Sequence, residues 1–539
     1  MKAHCLPFSQ IPHTSKLFAD FLSSSPTVQR FYPRSPHFDQ WLKEVPNDGY
    51  DSSRRERVAA VLERQNRDFG AWAKVQENLG RFRAGAAAVV TGQQVGLFGG
   101  PGFSIYKALT AIKLAEQATK AGVECVPIFW LATYDHDLAE VNHISIPGAD
   151  GVRHELATPT HGVTDAPVGA IAFGEEIVPV VQAAAELLGD SPVVSALRHS
   201  YRPGENFGSA FARLFARMFA NYGVILLDAS DPELNAIATP VYRSALECAA
   251  EIDEALLARG RELEAAGYHQ QVKVTPSSTL LFTMKEGSRV PVHRRANGGS
   301  ASEDFLIGDE VVSRAELFER IDSEPRNFSP NVLLRPVVED YLFPTLAYTG
   351  GSAEVAYFAQ AEVVYEILLG RVTPIIPRFS ATLIEAKPQS LLERYSLSFT
   401  ALFHGPEAVR QTLAKHALPQ DLQAAFDEAD IAVKKSMAAI QDSLARLDKT
   451  LVEAAANAHS KIQHQLEQLR SRAARAELRQ SEVLNRHADL LSNLLYPNKT
   501  LQERETAAIY FLGRYGPELV NNLYDAIHTD CLDHQVITL

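Results

Sequence analysis

Apolar residues in the first part of the chain recur every three or four positions, which is the spacing of one helix face. This pattern predicts helices over residues 14–21 and 54–79. The rhythm then changes to a short apolar run at 84–90, a long helical pattern at 104–121 and a second apolar run at 125–131. A strand, a helix and a strand at this spacing predict a parallel βαβ unit.

The same alternation continues after an interruption rich in Gly, Pro, Thr and Asp at residues 144–173, where we expect a small β-containing insertion. Beyond it, the pattern predicts helices at 178–200, 207–222, 231–266 and 352–369, strand-like runs at 224–227, 332–338 and 372–376, and a hairpin at 271–292. These elements extend the α/β layer.

Residues 421–496 follow a different pattern and contain neither Gly nor Pro. Apolar residues there are spaced alternately four and three positions apart, which favours a coiled coil over an ordinary bundle helix. Farther along this segment, one eleven-residue step interrupts the heptad spacing of the apolar residues, which is called a stutter. One helix about 110 Å long and a hairpin that turns at Asn457, His459 and Ser460 both remain open. The first heptad positions are Val433, Met437, Ile440, Leu444, Leu447, Leu451, Ala454 and Ala458.

The composition is that of a globular protein, since 46% of the 539 residues are hydrophobic and 22% are charged. A formal charge of −13 argues against nucleic acid or an anionic membrane as a partner. Neither a signal peptide nor an apolar run of about 18 residues is present, so we expect a cytoplasmic protein. Four scattered cysteines, without a C-x-x-C pair, indicate neither a disulfide scaffold nor a zinc site. They are Cys5, Cys125, Cys248 and Cys531.

The first candidate for chemistry is the glycine-rich segment 91–107, between a predicted strand and a predicted helix. Open α/β sheets bind ligands at this edge, and a helix start there directs free N–H groups at an anion. Ser104 is the expected N-cap, and Lys107 is the expected catalytic cation. A plain Gly-rich turn with Lys107 in solvent is the alternative. The other expected ligand-binding residues are Gln93, Gln94, Gly99 and Gly100.

The second candidate follows the next strand, so it should lie beside the first. Asp135, His136 and Asp137 are expected catalytic residues, which could supply a general base, hold a substrate amine or bind Mg²⁺. Asn142 and His143 are expected to bind substrate or nucleotide. Alternatively, Asp135 caps a helix and the histidines have only structural roles.

A third segment, 335–357, combines Arg335 in a strand-like run with a second glycine-containing helix start. If Arg335 is buried it requires a carboxylate partner, for which Asp340 is within reach, and a purely structural ion pair is the alternative. A fourth segment, 495–504, could bring Lys499 and Arg504 to a phosphate or could be a polar loop. The binding residues expected from the third segment are Arg335, Asp340, Tyr348, Gly350, Ser352, Glu354 and Tyr357.

These segments together resemble the bacillithiol synthase family, the cysteine-adding enzymes of bacillithiol biosynthesis. The matching stretches occur in order along the whole chain and include TGQQVGLFGGPGFSIYKALTAIKLA, PIFWLATYDHDLAEVNH, LLRPVVEDYLFPTLAYTGGSAEVAYFAQ and LYPNKTLQER. The resemblance implies a Rossmann-like parallel-sheet core akin to nucleotidyltransferases and class I synthetases, with connecting-peptide insertions and a dimerising coiled coil. The expected divisions are 1–143, 144–222, 223–386 with a second insertion near 270–325, 387–496, and 497–539 returning to the core.

The resemblance also implies a ligase that joins L-cysteine to glucosaminyl-malate as a cytoplasmic homodimer. Amide formation from a free carboxylate in water is uphill or slow, so we expect an activated acyl group. ATP or another nucleotide could supply the activation, with Mg²⁺ as a possible companion and no protein-bound metal site. Two rivals remain open: another nucleotide-dependent ligase or nucleotidyltransferase on the same core, and a non-catalytic coiled-coil scaffold.

Overall fold

The computed structural model describes residues 2–44, 49–70, 73–159, 165–295, 304–416, 418–448 and 450–539. The chain forms two compact units. The first comprises Met1–Ile146, His154–Thr382 and Glu503–Ile537, and the second comprises Pro147–Arg153, Leu383–Gln502 and Thr538–Leu539.

Helices and strands alternate through the first unit as the apolar pattern predicts. In chain order they begin with β1 (Lys2–Leu6), α1 (Lys16–Leu22), α2 (Pro26–Gln29), α3 (Ser52–Asp68), α4 (Ala73–Arg83), β2 (Ala87–Gln93), α5 (Phe103–Lys120), β3 (Cys125–Leu131), α6 (Leu138–Val141), β4 (His143–Pro147), β5 (Arg153–Ala157), α7 (Ile177–Leu188), α8 (Pro192–Ser200) and α9 (Phe207–Met218). They continue with β6 (Ile225–Asp228), α10 (Pro232–Glu247), α11 (Ala249–Ala265), β7 (Ser278–Lys285), β8 (Ser288–Arg295), β9 (Asp304–Ile307), β10 (Glu310–Ser313), α12 (Arg314–Ser323), β11 (Phe328–Pro330), α13 (Arg335–Leu342), β12 (Thr345–Gly350), α14 (Ser352–Leu369), β13 (Ile375–Pro377) and β14 (Ala381–Ile384).

The rest of the chain is mainly helical and ends in a strand. Its elements are α15 (Ala386–Arg394), α16 (Pro406–His416), α17 (Gln420–Leu447), α18 (Leu451–Gln480), α19 (Glu482–Leu495), α20 (Gln502–Glu505), α21 (Ala508–Tyr515), α22 (Glu518–Ala526) and β15 (His534–Thr538).

A five-stranded sheet in the order β13-β12-β2-β3-β6 forms the centre of the first unit. Every pairing in it is parallel, and β2 pairs with β3 in register from Ala87 with Cys125 to Gln93 with Leu131. All seven residues of β3 are buried, as both faces of a parallel sheet require. The expected Rossmann-like α/β class is confirmed, and the parallel strands place their carboxyl ends on one edge.

The strand-like run at 332–338 is the main element that the sequence analysis assigned wrongly, because α13 occupies Arg335–Leu342. The side chain of Asn331 accepts hydrogen bonds from the backbone N–H groups of Leu333 and Leu334 in the turn that precedes this helix. Pro336 suits the first turn of the helix. In the sequence, a buried helix and a buried strand both have the pattern of a continuous apolar run, so periodicity does not distinguish them. The strand here is β12, immediately after the helix.

Three smaller sheets complete the described strands. The hairpin predicted at 271–292 belongs to an antiparallel sheet in the order β10-β9-β8-β7-β11. Strands β4 and β5 pair with each other in the region where the sequence predicts a small β-containing insertion. The third sheet, in the order β1-β15-β14, pairs the first strand of the chain with the last.

In the second unit, α17 and α18 form a helical hairpin rather than one long helix. The turn lies at Asp448, whose carboxylate accepts hydrogen bonds from the backbone and hydroxyl of Thr450, so the turn expected at 457–460 is wrong. Arg470 of α18 reaches back to Asp427 and Asp430 of α17. Several heptad residues stay exposed, among them Ile440, Leu447, Leu451, Ile462 and Leu469.

Two further features concern the whole chain. No helix in its described part is long and apolar enough to cross a membrane. Cys5 and Cys531 form a disulfide across 526 positions of sequence, a pairing that the sequence analysis did not anticipate. The strand order β1-β15-β14 brings the segments that carry these two cysteines together.

Candidate active site

A polar cavity of about 510 Å³ opens at the carboxyl edge of the central sheet. The ends of β2 and β3 and the start of α14 contribute to its walls, so segments far apart in sequence meet there. Of the residues expected from the sequence, the cavity is lined by Gln93, Gln94, Lys107, Asp135, Arg335, Ser352, Glu354 and Tyr357.

Lys107 is buried in the wall and its ammonium is fully occupied. It donates to the Gly92 carbonyl at 2.7 Å, to Gln93 Oε1 at 2.8 Å and to Glu354 Oε2 at 2.8 Å. Burial lowers the pKa of Lys107. Burial also opposes ionisation of Glu354, yet the adjacent ammonium of Lys107 holds the pKa of that carboxyl below its usual value. The three N–H groups of the ammonium are thus matched by three acceptors, and Lys107 joins the end of β2 to the start of α14.

The start of α14 forms a cationic corner of the cavity, made by Gly351, Ser352, Arg378 and Arg504. Arg504 donates to Ser352 Oγ at 3.2 Å. Arg378 Nε is buried and has no hydrogen-bond partner, and a Cβ placed on Gly351 would stand 3.3 Å from it. Two guanidinium groups and a helix N-terminus beside a residue without a side chain suit a carboxylate or a phosphate.

Arg378 is held in place by a buried carboxylate from a distant part of the chain. Its two terminal nitrogens donate to the two oxygens of Glu503 at 3.1 and 2.7 Å. Glu503 also accepts from the Ser380 hydroxyl and the Ala381 backbone N–H. With the two terminal nitrogens engaged in this way, Nε of Arg378 remains a hydrogen-bond donor without a partner.

The acidic part of the cavity lies at the end of β3. Gln94 Nε2 donates to Asp135 Oδ2 at 2.9 Å and to Glu140 Oε2 at 3.0 Å, so one amide holds two carboxylates together. Asp135 also accepts from the backbone N–H of His136. Paired carboxylates of this kind suit a substrate ammonium group.

His136 and Asp137 do not line the cavity, although the sequence analysis placed both there. Nδ1 of His136 lies 3.2 Å from the Arg289 guanidinium, which can only donate, so that nitrogen is engaged as an acceptor. Asp137 is exposed at the N-cap of α6. The expectation that Gln94, Asp137 and Glu354 share one concave site is therefore met by Gln94 and Glu354 alone.

Other expected binding residues lie outside the lining for identifiable reasons. Asp340 pairs with Arg371 at 3.0 Å, not with Arg335, because in a helix the residue four positions on, Glu339, shares the face of Arg335. The hydroxyl of Tyr348 donates a hydrogen bond to Glu354, so Tyr348 supports a lining residue without lining the cavity itself. The remaining ones are Asn142 and His143, which contact each other, and Gly350, which precedes the start of α14.

The glycine loop 96–102 serves the fold more than the ligand. Gly99 and Gly100 have φ of +86° and +72°, which favours glycine, and Gly99 packs against Leu214 and Phe215. Ser104 is not the N-cap, since α5 begins at Phe103 after Gly102, and its buried hydroxyl has no partner. The loop shapes the edge of the sheet without lining the cavity.

Sequence analysis did not single out Arg378, Trp130 or Gln271, all of which line the cavity. Arg378 follows β13 directly, and its position at the end of a buried strand is a usable signal. Among the described residues, no group of three or more His, Cys, Asp or Glu side chains is placed to hold a metal ion.

The fold and the cavity define a Rossmann-like α/β protein with a polar small-molecule site at the carboxyl edge of its sheet. Residues 1–379 match the model of the family described as "Bacillithiol biosynthesis BshC, N-terminal Rossmann-like domain". Residues 381–539 match its "C-terminal coiled-coil domain". The chain therefore belongs to the BshC family of bacillithiol biosynthesis, and it is a ligase enzyme.

Full-length relatives agree with this membership. A protein of Koribacter versatilis is 49% identical over 533 residues, covering 99% of both chains, and is named "Putative cysteine ligase BshC". Relatives of the same name in Solibacter usitatus and Salinibacter ruber are 34% and 32% identical. These alignments cover 100% of both chains for the former, and 99% of this chain and 98% of the relative for the latter.

Proposed function

We propose that this chain forms an amide bond between the carboxyl group of L-cysteine and the amine of glucosaminyl-malate, as the last step of bacillithiol biosynthesis. The name of the relatives supports cysteine as one substrate. We place the reaction in the cytoplasm, together with the other biosynthetic chemistry of the cell.

The observation that carries the proposal is the division of the cavity into a cationic and an acidic part. The corner at Gly351, Ser352, Arg378 and Arg504 offers positive charge for the carboxylates of malate or cysteine. Asp135 and Glu140, held by Gln94, offer negative charge for the sugar ammonium. A ligand that carries both kinds of group would be oriented by its own charges.

Amide formation requires the sugar amine to lose a proton before it attacks the activated carboxyl carbon. Asp135 and Glu140 line the cavity and are the side chains placed to accept that proton. His136 is less suited, because its Nδ1 already accepts from Arg289. The expected contribution of these groups is to hold the amine in the attacking position and to remove its proton.

Activation of the cysteine carboxylate calls for a nucleotide such as ATP, which supplies the phosphoryl or adenylyl group. The cationic corner fits a phosphate, since Gly351 leaves room and Arg378 Nε is an unsatisfied donor. Arg378 and Arg504 would hold it. Asp135 and Glu140 are the carboxylates of the cavity that could contact a Mg²⁺ ion carried by the nucleotide.

The test is incubation of the protein with cysteine, glucosaminyl-malate and ATP, followed by mass spectrometry. We expect a product with the mass of the two substrates minus water, formed together with either phosphate or pyrophosphate. Arg504→Gln should lower kcat/KM by about 10- to 100-fold, the worth of one charged hydrogen bond. The matched control is Arg514→Gln, which changes an exposed arginine outside the cavity.

Two results would replace this proposal. Nucleotide-dependent coupling with other acceptors, but not with glucosaminyl-malate, would indicate a different ligase on the same core. Absence of any turnover, combined with tolerance of the Arg504 substitution in bacillithiol-producing cells, would indicate a scaffold role.

We also propose that the chain is a homodimer joined through the α17–α18 hairpin. The support is the exposure of apolar heptad residues on the hairpin, where Leu447 is 78% and Leu469 is 55% accessible. Coiled-coil seams bury such residues against a second helix pair.

A further inference from the structure

Beside the cavity lies a buried carboxylate that the proposed chemistry does not use. Glu339 on α13 is 2% exposed, and neither of its oxygens has a hydrogen-bond partner. The cation it approaches is Arg335, one helical turn earlier, with Nε of Arg335 3.7 Å from Oε1 of Glu339. Arg335 lines the cavity, whereas Glu339 does not.

Arg335 is fixed from two sides. Its Nη2 donates to the hydroxyl of Tyr357 at 2.9 Å, and Glu339 attracts the guanidinium from within the same helix. Because the carboxylate accepts no hydrogen bond, its interaction with Arg335 is chiefly electrostatic. Any change in the charge of Glu339 thus alters the net charge that Arg335 presents to the cavity.

We propose that Glu339 is a positioning residue that holds Arg335 at the cavity and sets how strongly this arginine attracts a substrate carboxylate. The inference rests on the proposed function, since it takes the cavity to bind an acidic substrate such as glucosaminyl-malate. It adds a regulating group behind the binding surface and makes acid binding sensitive to pH.

Several charged or titratable groups surround Glu339, and most of them do not change their protonation state near neutral pH. Burial raises the pKa of the tyrosines around the pair, so these phenols stay neutral. Burial lowers the pKa of Lys107 and raises that of Asp340 to about 6. The groups are Arg335 and Asp340 on α13, Lys107 on α5, Glu354, Tyr357 and Tyr365 on α14, Tyr348 on β12, Tyr134 after β3 and, beyond Tyr134, Arg289 on β8.

The direction of the pH effect follows from these surroundings. Burial raises the pKa of Glu339 to about 8, although Arg335 acts in the opposite sense. Below pH 8 the carboxyl group is neutral and Arg335 presents its full charge to an acid. Above pH 8 the carboxylate compensates Arg335, so affinity for an acid should fall.

The experiment measures L-malate binding by isothermal titration calorimetry on the full chain at pH 7 and pH 9. A group with a pKa near 8 is about 90% neutral at pH 7 and about 10% neutral at pH 9, so wild-type Kd should rise up to about tenfold. In Glu339→Gln we expect a rise of less than about threefold. The matched control Glu362→Gln removes another carboxylate paired with an arginine, Arg259, outside the cavity, and should keep the wild-type rise.

Proton uptake gives a second measurement that needs no variant. Binding of malate at pH 9 favours the neutral carboxyl, so wild type should take up between about half and one proton per malate, measured in buffers of different ionisation enthalpy. Equal pH dependence in wild type and Glu339→Gln, or no proton uptake by wild type, would overturn the role of Glu339. Failure of wild type to bind malate at either pH would overturn acid binding itself, and malate binding without amide formation would overturn the proposed function alone.

Discussion

A lysine that already donates to three acceptors has no hydrogen-bonding capacity left for a ligand. Lys107 is in this position, between Gly92, Gln93 and Glu354. The sequence analysis expected it to hold an anion, and the cavity instead presents Arg335, Arg378 and Arg504 for that purpose. Lys107 contributes by holding the buried carboxylate of Glu354 in the wall of the cavity.

This role predicts a stability effect as well as a loss of activity. Lys107→Met removes the ammonium from a buried ion pair and leaves Glu354 with its hydrogen bonds from Tyr348 and the Gly351 N–H. Loss of one partner of a buried ion pair should lower the free energy of unfolding by about 3–5 kcal/mol. The double variant Lys107→Met/Glu354→Gln should recover most of the loss, because it removes both charges. Differential scanning calorimetry measures both changes.

The control for this pair is Lys120→Met, which removes an exposed lysine from its ion pair with Glu116. It should change stability by less than about 0.5 kcal/mol. If Lys107→Met is as stable as Lys120→Met, then Lys107 does not lock the wall of the cavity.

At the scale of elements, the long amphipathic or fully buried segments could be predicted from the sequence. The second apolar run coincides with β3, Cys125–Leu131, and the helix expected at 352–369 coincides with α14. The helix α13 could not be told from a strand, because burial on all sides removes the periodicity that separates them. The hairpin turn was missed since Asp448 lies within the same heptad pattern that continues on both sides.

Residues of the candidate site could be predicted where they follow the end of a strand. They could not be predicted where the orientation of a side chain determines whether it lines the cavity. Gln94 and Glu354 were placed correctly by the rule that ligands bind at the carboxyl edge of a parallel sheet. The rule cannot say that Asp137 turns to solvent or that Arg378 is oriented by Glu503. Those outcomes depend on contacts between distant segments.

The small β1-β15-β14 sheet makes the protein sensitive to acid. Buried His534 contacts the hydroxyls of Ser380 and Thr382 with its two ring nitrogens, and burial lowers its pKa from 6.5 to about 4. Because the unfolded chain binds the proton more readily, stability is lost as the pH falls from 6.5 to 4. The loss from this group should amount to about 3 kcal/mol.

His534→Gln keeps a donor and an acceptor but cannot take up a proton. The variant should therefore lose less stability than wild type between pH 7 and pH 4.5, as measured by thermal unfolding. His528→Gln changes an exposed histidine nearby in sequence and should follow wild type. Parallel curves for all three proteins would show that His534 does not cause acid lability.

For the whole molecule, the exposed heptad residues of the hairpin predict association of two chains. The double variant Leu447→Lys/Leu469→Lys replaces two exposed apolar heptad residues by charges and should convert a dimer to a monomer in light scattering. Both side chains are exposed in one chain, so the hairpin itself should remain folded. Lys435→Ala, an exposed change to a polar position of α17, should leave the dimer intact. A wild-type monomer would refute the proposed interface.

The pairing of the first strand with the last has a consequence for synthesis on the ribosome. Strand β1 is translated long before its neighbour in the sheet, β15. At about 5–20 residues per second, the 526 positions between Cys5 and Cys531 take about half a minute to two minutes. For most of that interval the nascent chain exposes β1 as an unpaired edge and also lacks Arg504. Both the sheet and the cationic corner of the cavity are therefore completed only after most of the residues between the two cysteines have been translated.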